Sequence, residues 1–391
     1  MANYWAQPPE PKTKLGRYRQ LAPLAGVHVS PIALGGMSIG DKWEKVGMGS
    51  MTKEQSFKLL DAYYEAGGNF IDTANQYQDE TSEEFIGEWM EARGIRDQMF
   101  IATKASFYYT NNYKIGAGDA IAQKVMYTGN NIKSMHISLE DSLRKLRTDY
   151  IDLFYVHWWD YATSIEEVMN GLHIPVAERK VLYLGISDTP AWIVAAANTY
   201  ARMAGKTPFV IYQGAWSVML RDFEREILPM AIQQGMALAP YNVLVSGRIR
   251  TDEDEERRRQ TGEGGRTLGG QNWERSEGEK RMCKVLEKIA KEVGAKHITS
   301  IAIAYVMQKA PNVFPVVGGR KIEHLLSNVE ALDVALTSAH LQEIESVNPV
   351  DLGFPYIYFG SPLSEDYSYL FKTAGHFDKL PARQAIRPSK N

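Results

Sequence analysis

The sequence contains very little cysteine, with Cys283 alone among 391 residues. One cysteine cannot form an intramolecular disulfide or a cysteine-rich zinc site, which excludes disulfide scaffolds and zinc proteins of that kind. No N-x-S/T sequon occurs, and the opening MANYWAQPPEPKTK lacks the basic-then-apolar pattern of a signal peptide. No apolar run reaches the roughly 18 residues that a membrane helix needs. We therefore expect a cytoplasmic protein with no membrane partner.

The chain also has little net charge and no glycine motif of the dinucleotide-binding type. The formal charge of −3 provides no basic field that would hold nucleic acid. No G-x-G-x-x-G follows an apolar segment, which argues against a Rossmann dinucleotide fold. Apolar residues make up 44% and charged residues 23%, as in a globular protein with a sizeable core. We therefore expect no nucleic-acid partner and no metal.

Short apolar runs alternate with helical patterns along most of the chain. The runs are nearly continuous, as expected of parallel strands that are buried on both faces. Eight of them are predicted as strands: SPIALGG from Ser30, NFIDT from Asn69, MFIATK from Met99, YIDLFYVH from Tyr150, VLYLGIS from Val181, FVIYQGAW from Phe209, MALAPYN from Met236 and VFPVVGG from Val313. Eight β–α alternations predict a (β/α)8 TIM barrel, with a doubly wound open sheet as the alternative. Residues 14–28 are predicted to form a hairpin that plugs one end of the barrel.

Helix signals fill the intervals between these strands. Thr52 and Gln55 predict a capping box for a helix that ends at Gly67-Gly68, and Ser134 is predicted to cap another. The remaining helices are predicted at 81–93, 163–179, 190–203, 221–234, 280–293, 298–309 and 321–334.

We expect one domain, 1–391, with a core at about 14–346 and a C-terminal extension, 347–391. Two segments do not fit the β–α repeat: 105–133 contains many tyrosines and glycines, and 248–279 is charged without apolar periodicity. Both are predicted as long loops. They are either plain surface loops or part of the C-terminal face of the barrel, where barrel enzymes carry their sites.

Unusual polar residues stand at the C-terminal ends of six predicted strands. Each alone has an ordinary structural explanation, such as a helix cap or a satisfied core histidine. In a barrel, however, these strand ends meet on one rim, so together they predict a site. The residues are Asp72, Lys104, His157, Ser187 with Asp188, Gln213 and Asn242, and Tyr77 follows Asp72 in the next loop.

A tyrosine, a lysine and an aspartate together can transfer a proton. Free tyrosine has a pKa of about 10, and a nearby ammonium is expected to lower it by stabilising the phenolate. Asp72 can keep a buried Lys104 protonated. His157 can donate a hydrogen bond to a carbonyl oxygen, which suits protonation of that oxygen by Tyr77.

The motifs NFIDTANQY (69–77), IATK (101–104) and YIDLFYVHW (150–158) resemble those of the aldo-keto reductases, over roughly residues 14 to 346. The resemblance implies a catalytic tetrad of Asp72, Tyr77, Lys104 and His157, with Tyr77 as the general acid. Within the family the chain is most similar to fungal NADP-dependent aryl-alcohol dehydrogenases. Gln78 replaces the glycine that commonly follows the tyrosine, and 241–247 lacks the usual proline-leucine pair.

The resemblance also implies an NADP(H) site. GISD (185–188) matches a segment that contacts the nicotinamide carboxamide, and Trp216 is expected to stack on the nicotinamide. Arg320 and Lys321 beside a helix start suit the 2′-phosphate of NADP. The implied cofactor-binding residues are Gly36, Met37, Asp72, Ser187, Asp188, Gln213, Trp216, Tyr241, Asn242, Val243, Leu244, Gly247, Arg248, Gly318, Gly319, Arg320, His324 and Asn328.

The implied activity is NADPH-dependent reduction of aldehydes, aromatic ones in particular, and the reverse oxidation of alcohols. Tyr77, His157 and Trp158 are implied to contact the substrate, and the aromatic residues Trp159, Tyr108 and Tyr109 would suit a planar ring.

Several alternatives stay open at this level. They are a ketoreductase acting on a polyketide and a regulatory NADP-binding protein like the channel β-subunits. A Schiff-base aldolase could use Lys104 but would not explain the cofactor segments. Tyr305 and Lys309 have the Y-x-x-x-K spacing of short-chain dehydrogenases, which we interpret as chance. The physiological substrate, the favoured direction and the oligomeric state are not predicted.

Overall fold

The computed structural model describes residues 5–105, 122–265, 272–364 and 367–388. Within them, eight parallel strands form one sheet in the order β10-β3-β4-β5-β6-β7-β8-β9. These strands are β3 (Ala33–Gly35), β4 (Phe70–Asp72), β5 (Phe100–Ala105), β6 (Ile151–Val156), β7 (Val181–Ser187), β8 (Phe209–Ala215), β9 (Ala237–Tyr241) and β10 (Val316–Val317).

The two ends of this sheet meet at Leu238 on β9. Its amide donates to Asn312 O at 2.9 Å, and its carbonyl accepts from Phe314 N at 2.8 Å, next to the parallel bridge to Val313. The sheet is therefore a nearly closed barrel, which confirms the predicted (β/α)8 fold over the open sheet. β10 is shorter than predicted because Pro315 has no amide hydrogen to donate to a neighbouring strand.

Helices alternate with these strands and surround the barrel. Their bounds are α1 (Lys53–Glu65), α2 (Thr81–Arg93), α3 (Ile132–Lys145), α4 (Ile165–Ala177), α5 (Ala191–Met203), α6 (Ile227–Gln234), α7 (Asp252–Thr261), α8 (Glu277–Val293), α9 (Ile298–Lys309), α10 (Ile322–Val329), α11 (Ser338–Val347), α12 (Tyr356–Phe359) and α13 (Tyr369–Lys372). The predicted capping box is present, because Thr52 Oγ1 accepts from Gln55 N and Gln55 Oε1 accepts from Thr52 N. None of the described helices is long and apolar enough to cross a membrane.

The predicted hairpin closes the N-terminal end of the barrel. It consists of β1 (Arg19–Ala22) and β2 (Ala25–Val29), which pair antiparallel. Its Leu21 and Val29 belong to the same buried cluster as Phe70, Phe100 and Phe314 inside the barrel. With this end filled by apolar side chains, polar chemistry is left to the opposite rim.

Two local predictions are wrong. α3 is capped by Asn131, whose side chain accepts from Ser134 N at 3.0 Å, while Ser134 itself lies buried inside the helix. The segment 248–279 contains a helix, α7, although it lacks an apolar stripe. Thr251 caps this helix, and Asp254 pairs with Arg257 at 2.6 Å and with Arg258 at 2.8 Å along its surface. Ion pairs of this spacing stabilise a helix that has no apolar face. Tyr108 and Tyr109 lie outside the described residues.

The cap of α3 provides a stability test. Asn131→Ala should lower the free energy of unfolding by about 1 kcal/mol, since it removes the acceptor of an exposed helix start. Ser134→Ala is the matched control, because this buried hydroxyl has no hydrogen-bond partner among the described residues and its loss should be neutral or stabilising. Urea denaturation measures both variants. The reverse ranking would show that Ser134 is the cap after all.

Candidate active site

A buried ion pair stands at the C-terminal rim of the barrel. Lys104 Nζ donates to Asp72 Oδ1 at 2.6 Å and to the Thr73 carbonyl at 2.6 Å. The second carboxylate oxygen of Asp72 accepts from Gln213 Nε2 at 2.8 Å. Burial alone would lower the pKa of Lys104, but its interactions with the Asp72 carboxylate and with Tyr77 outweigh burial and raise it. The lysine is therefore an ammonium held within the protein.

Tyr77 lies beside this ammonium on the loop between β4 and α2. Its hydroxyl is 3.5 Å from Lys104 Nζ, and its ring centroid is 5.0 Å from the same nitrogen. The expected lowering of the Tyr77 pKa is wrong as a net result. Burial raises this pKa, and Lys104 opposes the rise only in part. At neutral pH the hydroxyl thus keeps its proton, and Lys104 stands ready to stabilise the phenolate once that proton leaves.

His157 follows β6 and faces the ring of Tyr77. The two ring centroids are 6.2 Å apart at an interplanar angle of 76°. The backbone amide of His157 donates to Ala105 O at 3.0 Å, which continues the pairing of β5 and β6 to the rim. Burial, together with the positive charge of Lys104, lowers the pKa of His157 well below its usual value. The imidazole is therefore neutral and can donate one hydrogen bond.

Aromatic side chains surround these polar groups. Asp188 accepts from Trp158 Nε1 at 3.0 Å and from the Tyr241 hydroxyl at 3.1 Å, which connects the loop after β6 to the last residue of β9. Burial raises the pKa of Asp188, although the same two donors oppose the rise. Trp43 makes an edge contact with Tyr77 at a centroid distance of 6.1 Å. Trp43 was not predicted, because it begins a short 3₁₀ helix in a segment without periodic pattern; its one signal was a position soon after the end of β3.

Trp216 does not occupy the predicted position. Its ring is fully buried and stacks on Phe223 at 5.1 Å and 6°, with Nε1 donating to Glu224 at 3.2 Å. A ring that is buried and stacked in this way has no face exposed at the rim, which weighs against the predicted stacking of Trp216 on the nicotinamide. Tyr241 pairs with Ala215 across β8 and β9 and is half-buried at the rim, so its ring is partly accessible there.

The other predicted cofactor residues lie on the same rim or on the helix beside it. Ser187 and Gln213 face each other across β7 and β8. Gly36 and Met37 follow β3, Asn242, Val243, Leu244, Gly247 and Arg248 follow β9, Gly318, Gly319 and Arg320 follow β10, and His324 and Asn328 belong to α10. A Cβ at Gly318 would lie 3.0 Å from Gly35 O, so a side chain there would require the neighbouring backbone to move by a few tenths of an ångström.

The residues present fit an NADP molecule in two places. The buried Ser187 hydroxyl makes no full hydrogen bond within the described ranges and interacts only weakly with Asp188, whose pKa it helps to lower, so it has bonding capacity to offer. The second place is the start of α10. Its N-cap residue, Lys321, makes no side-chain hydrogen bond to the helix, and Arg320 comes directly before it. Lys321 pairs with Glu263 at 3.0 Å, and Arg257 pairs with the same carboxylate at 3.0 Å. Several cations at a helix N-terminus suit a phosphate.

Residues 31–349 match the sequence model of the Aldo/keto reductase family. The chain belongs to this family. It is 65% identical over 390 residues to "Aryl-alcohol dehydrogenase [NADP(+)]" of Phanerodontia chrysosporium, covering 99% of this chain and 100% of the relative. It is 56% identical to "Putative aryl-alcohol dehydrogenase AAD14" of Saccharomyces cerevisiae, covering 89% and 90%. "Norsolorinic acid reductase B" of Dothistroma septosporum is 47% identical, covering 95% of this chain and 94% of the relative.

Proposed function

We propose that the protein is an NADPH-dependent reductase that converts aldehydes, aromatic ones in particular, to alcohols and catalyses the reverse oxidation. The observation that carries this proposal is the grouping of Lys104, Asp72, Tyr77 and a neutral His157 at one rim. The family membership and the two relatives named as aryl-alcohol dehydrogenases support the same chemistry.

The four side chains have distinct roles in this proposal. Tyr77 and His157 would both donate hydrogen bonds to the substrate's carbonyl oxygen, and NADPH, when bound, supplies the hydride. Tyr77 then gives its proton to that oxygen, and the adjacent Lys104 charge stabilises the phenolate that is left. Asp72 holds Lys104 in place and keeps it charged. In the reverse direction the phenolate accepts the proton of the alcohol.

We further propose how the cofactor is held. Ser187 and Gln213 would bind the carboxamide, and Tyr241 would offer its ring in place of Trp216. Arg320 and Lys321, with His324 and Asn328 on α10, would bind the adenosine 2′-phosphate, which favours NADP over NAD.

The substrate class follows from the walls of the site. Trp43 and Trp158 flank Tyr77 and His157, with Trp158 at 5.9 Å from the His157 ring and 40% exposed. Flat aromatic walls bind a planar ring over a large area. Because Asp188 holds the indole nitrogen of Trp158, that wall is oriented before a substrate arrives.

Replacement of the acid tests the central claim. Tyr77→Phe should lower kcat for an aromatic aldehyde by about 10²- to 10⁴-fold, because the proton donor is lost. The dissociation constant for NADPH should stay within about twofold, since the hydroxyl is proposed to bond the substrate. NADPH absorbance and fluorescence titration measure the two quantities. Tyr358→Phe in the exposed C-terminal segment is the control, and full activity in Tyr77→Phe would remove Tyr77 from the mechanism.

The pKa shifts predict the pH dependence of reduction. His157 has a lowered pKa and stays neutral near pH 7, while Tyr77 has a raised pKa and stays protonated there. Reduction should therefore be flat between about pH 6.5 and 9 and decline only as Tyr77 ionises above about pH 10. Initial rates at constant ionic strength give this profile. An inflection near pH 6.5 would show that His157 titrates in the active range.

Cofactor preference has a separate test. Arg320→Gln should raise the dissociation constant of NADPH by at least about tenfold, as expected for loss of one charged hydrogen bond worth about 1.5–3 kcal/mol. Affinity for NADH should change little. Arg17→Gln, on the exposed N-terminal segment, is the matched control. An equal loss of affinity for both cofactors would place Arg320 away from the 2′-phosphate.

A second candidate is a ketoreductase acting on a polyketide, favoured by the similarity to "Norsolorinic acid reductase B". A panel of aryl aldehydes and polycyclic aryl ketones, compared by kcat/KM with NADPH, separates the two. Tight NADPH binding with turnover near zero across the panel would instead favour a regulatory protein.

A further inference from the structure

The loop that carries Tyr77 has an unusual backbone. The three residues that follow it, Gln78, Asp79 and Glu80, have φ values of 52°, 52° and 80°. Residues other than glycine seldom adopt this left-handed conformation, and a run of three persists only when surrounding contacts enforce it. The position of the Tyr77 hydroxyl thus depends on what holds the loop.

One anchor faces the rim. Gln78 is fully buried, its side-chain oxygen accepts from Trp43 N at 2.9 Å and from Lys42 N at 3.1 Å, and its amide donates to Met37 O at 3.0 Å. These bonds attach the loop to the segment after β3. They explain why glutamine can stand where the family commonly has glycine.

A second anchor lies behind the loop, at the last residue of α3. Lys145 has a fully buried side chain, and its Nζ is 3.0 Å from Asn75 O, 3.3 Å from Glu80 Oε1 and 2.8 Å from Glu83 Oε2. Asn75 comes two residues before Tyr77 and Glu80 three residues after it. The Lys145 ammonium therefore binds the loop on both sides of Tyr77.

Glu83 connects this anchor to β5, the strand that bears Lys104. Its side chain is fully buried, and Oε1 accepts from Thr103 Oγ1 at 2.5 Å. Thr103 directly precedes Lys104 on β5. Burial opposes charge on Lys145, but Glu83 and Glu80 outweigh burial and raise its pKa. Lys145, Glu80 and Glu83 thus form an ionic cluster that connects the loop bearing Tyr77 to the strand bearing Lys104.

We propose that Lys145 is a positioning residue for the reaction. With Glu80 and Glu83 it holds the loop 75–80 so that the Tyr77 hydroxyl stays within reach of the Lys104 ammonium. Lys145 does not contact the reacting atoms and acts through Tyr77. The role in turnover rests on the proposed function, whereas the holding of the loop does not.

The test uses the 391-residue chain, two variants at Lys145 and one control variant. Lys145→Met alone leaves two buried carboxylates without their cation, which can unfold the protein. Lys145→Met combined with Glu83→Gln removes one of these charges, and Lys145→Arg retains the cation. Lys180→Met is the control, since Lys180 forms an exposed pair with Glu140 on the barrel exterior. Circular dichroism establishes that each variant is folded.

Lys145→Met/Glu83→Gln should lower kcat by 10- to 100-fold, the order expected when a catalytic group is displaced by about 1 Å. The NADPH dissociation constant should stay within about twofold, since the cluster does not touch the cofactor segments. Lys145→Arg should recover most of the lost turnover. In a Tyr77→Phe background, Lys145→Met/Glu83→Gln should lower kcat little further, because both changes act through the Tyr77 hydroxyl. Unchanged kcat, or a full further loss in that background, would overturn the proposal.

Hydrogen exchange separates this proposal from the proposed function. Amides in 73–80 should exchange faster in Lys145→Met/Glu83→Gln than in the parent, and those of α8 should not change. If Tyr77→Phe proves fully active, the proposed acid is wrong, and the exchange data still decide whether Lys145 holds the loop. Unchanged exchange in 73–80 would overturn the proposal whatever the activity.

Discussion

The site depends on one buried ion pair, Lys104 with Asp72. A lysine without solvent contact can remain charged only if acceptors surround it, and two of its acceptors come from the end of β4. Gln213 reaches the same carboxylate from the far side of the barrel. Such convergence requires a closed ring of strands, so the fold and the charge depend on each other. Because the apolar hairpin fills the other end, a charge inside the barrel stands at this rim.

The two titrating groups beside the pair are shifted in opposite directions by the same surroundings. Burial disfavours the charged form of each, which keeps Tyr77 protonated and His157 neutral. Lys104 adds to the effect on His157 and opposes it on Tyr77. The Tyr77 hydroxyl, as proton donor, and the neutral His157 imidazole then face the same space, and the Lys104 ammonium lies beside Tyr77. This combination suits a reaction in which negative charge develops on an oxygen.

The sequence predicted those features that follow from the spacing of apolar residues and from the topology of a barrel. Apolar runs gave the strands, and polar residues at their ends gave Asp72, Lys104 and His157, because strand ends in a barrel must meet. Features set by side-chain direction were not accessible in this way. Trp216 and Tyr241 are both aromatic and both near strand ends, but packing against Phe223 turns Trp216 away from the rim. α7 was missed because ion pairs stabilise it, and Asn131 was missed because several residues there could serve as a cap.

The Y-x-x-x-K pattern shows how tertiary contacts decide between interpretations. Tyr305 and Lys309 lie on α9, where Tyr305 donates to Glu224 at 3.2 Å and Lys309 pairs with Glu345 at 2.5 Å. Glu224 also accepts from Trp216, so these residues attach α11 and the loop after β8 to the barrel wall. At Tyr305 the Glu224 carboxylate accepts the hydrogen bond of the phenol and helps to hold its proton. The rim differs, because Lys104 donates to the Tyr77 hydroxyl and no carboxylate within the described residues accepts from that hydroxyl. Asp72 and Asp188 act on Tyr77 through their charge, which helps to raise its pKa. In the proposed mechanism, the Tyr77 proton is therefore left for the substrate's oxygen.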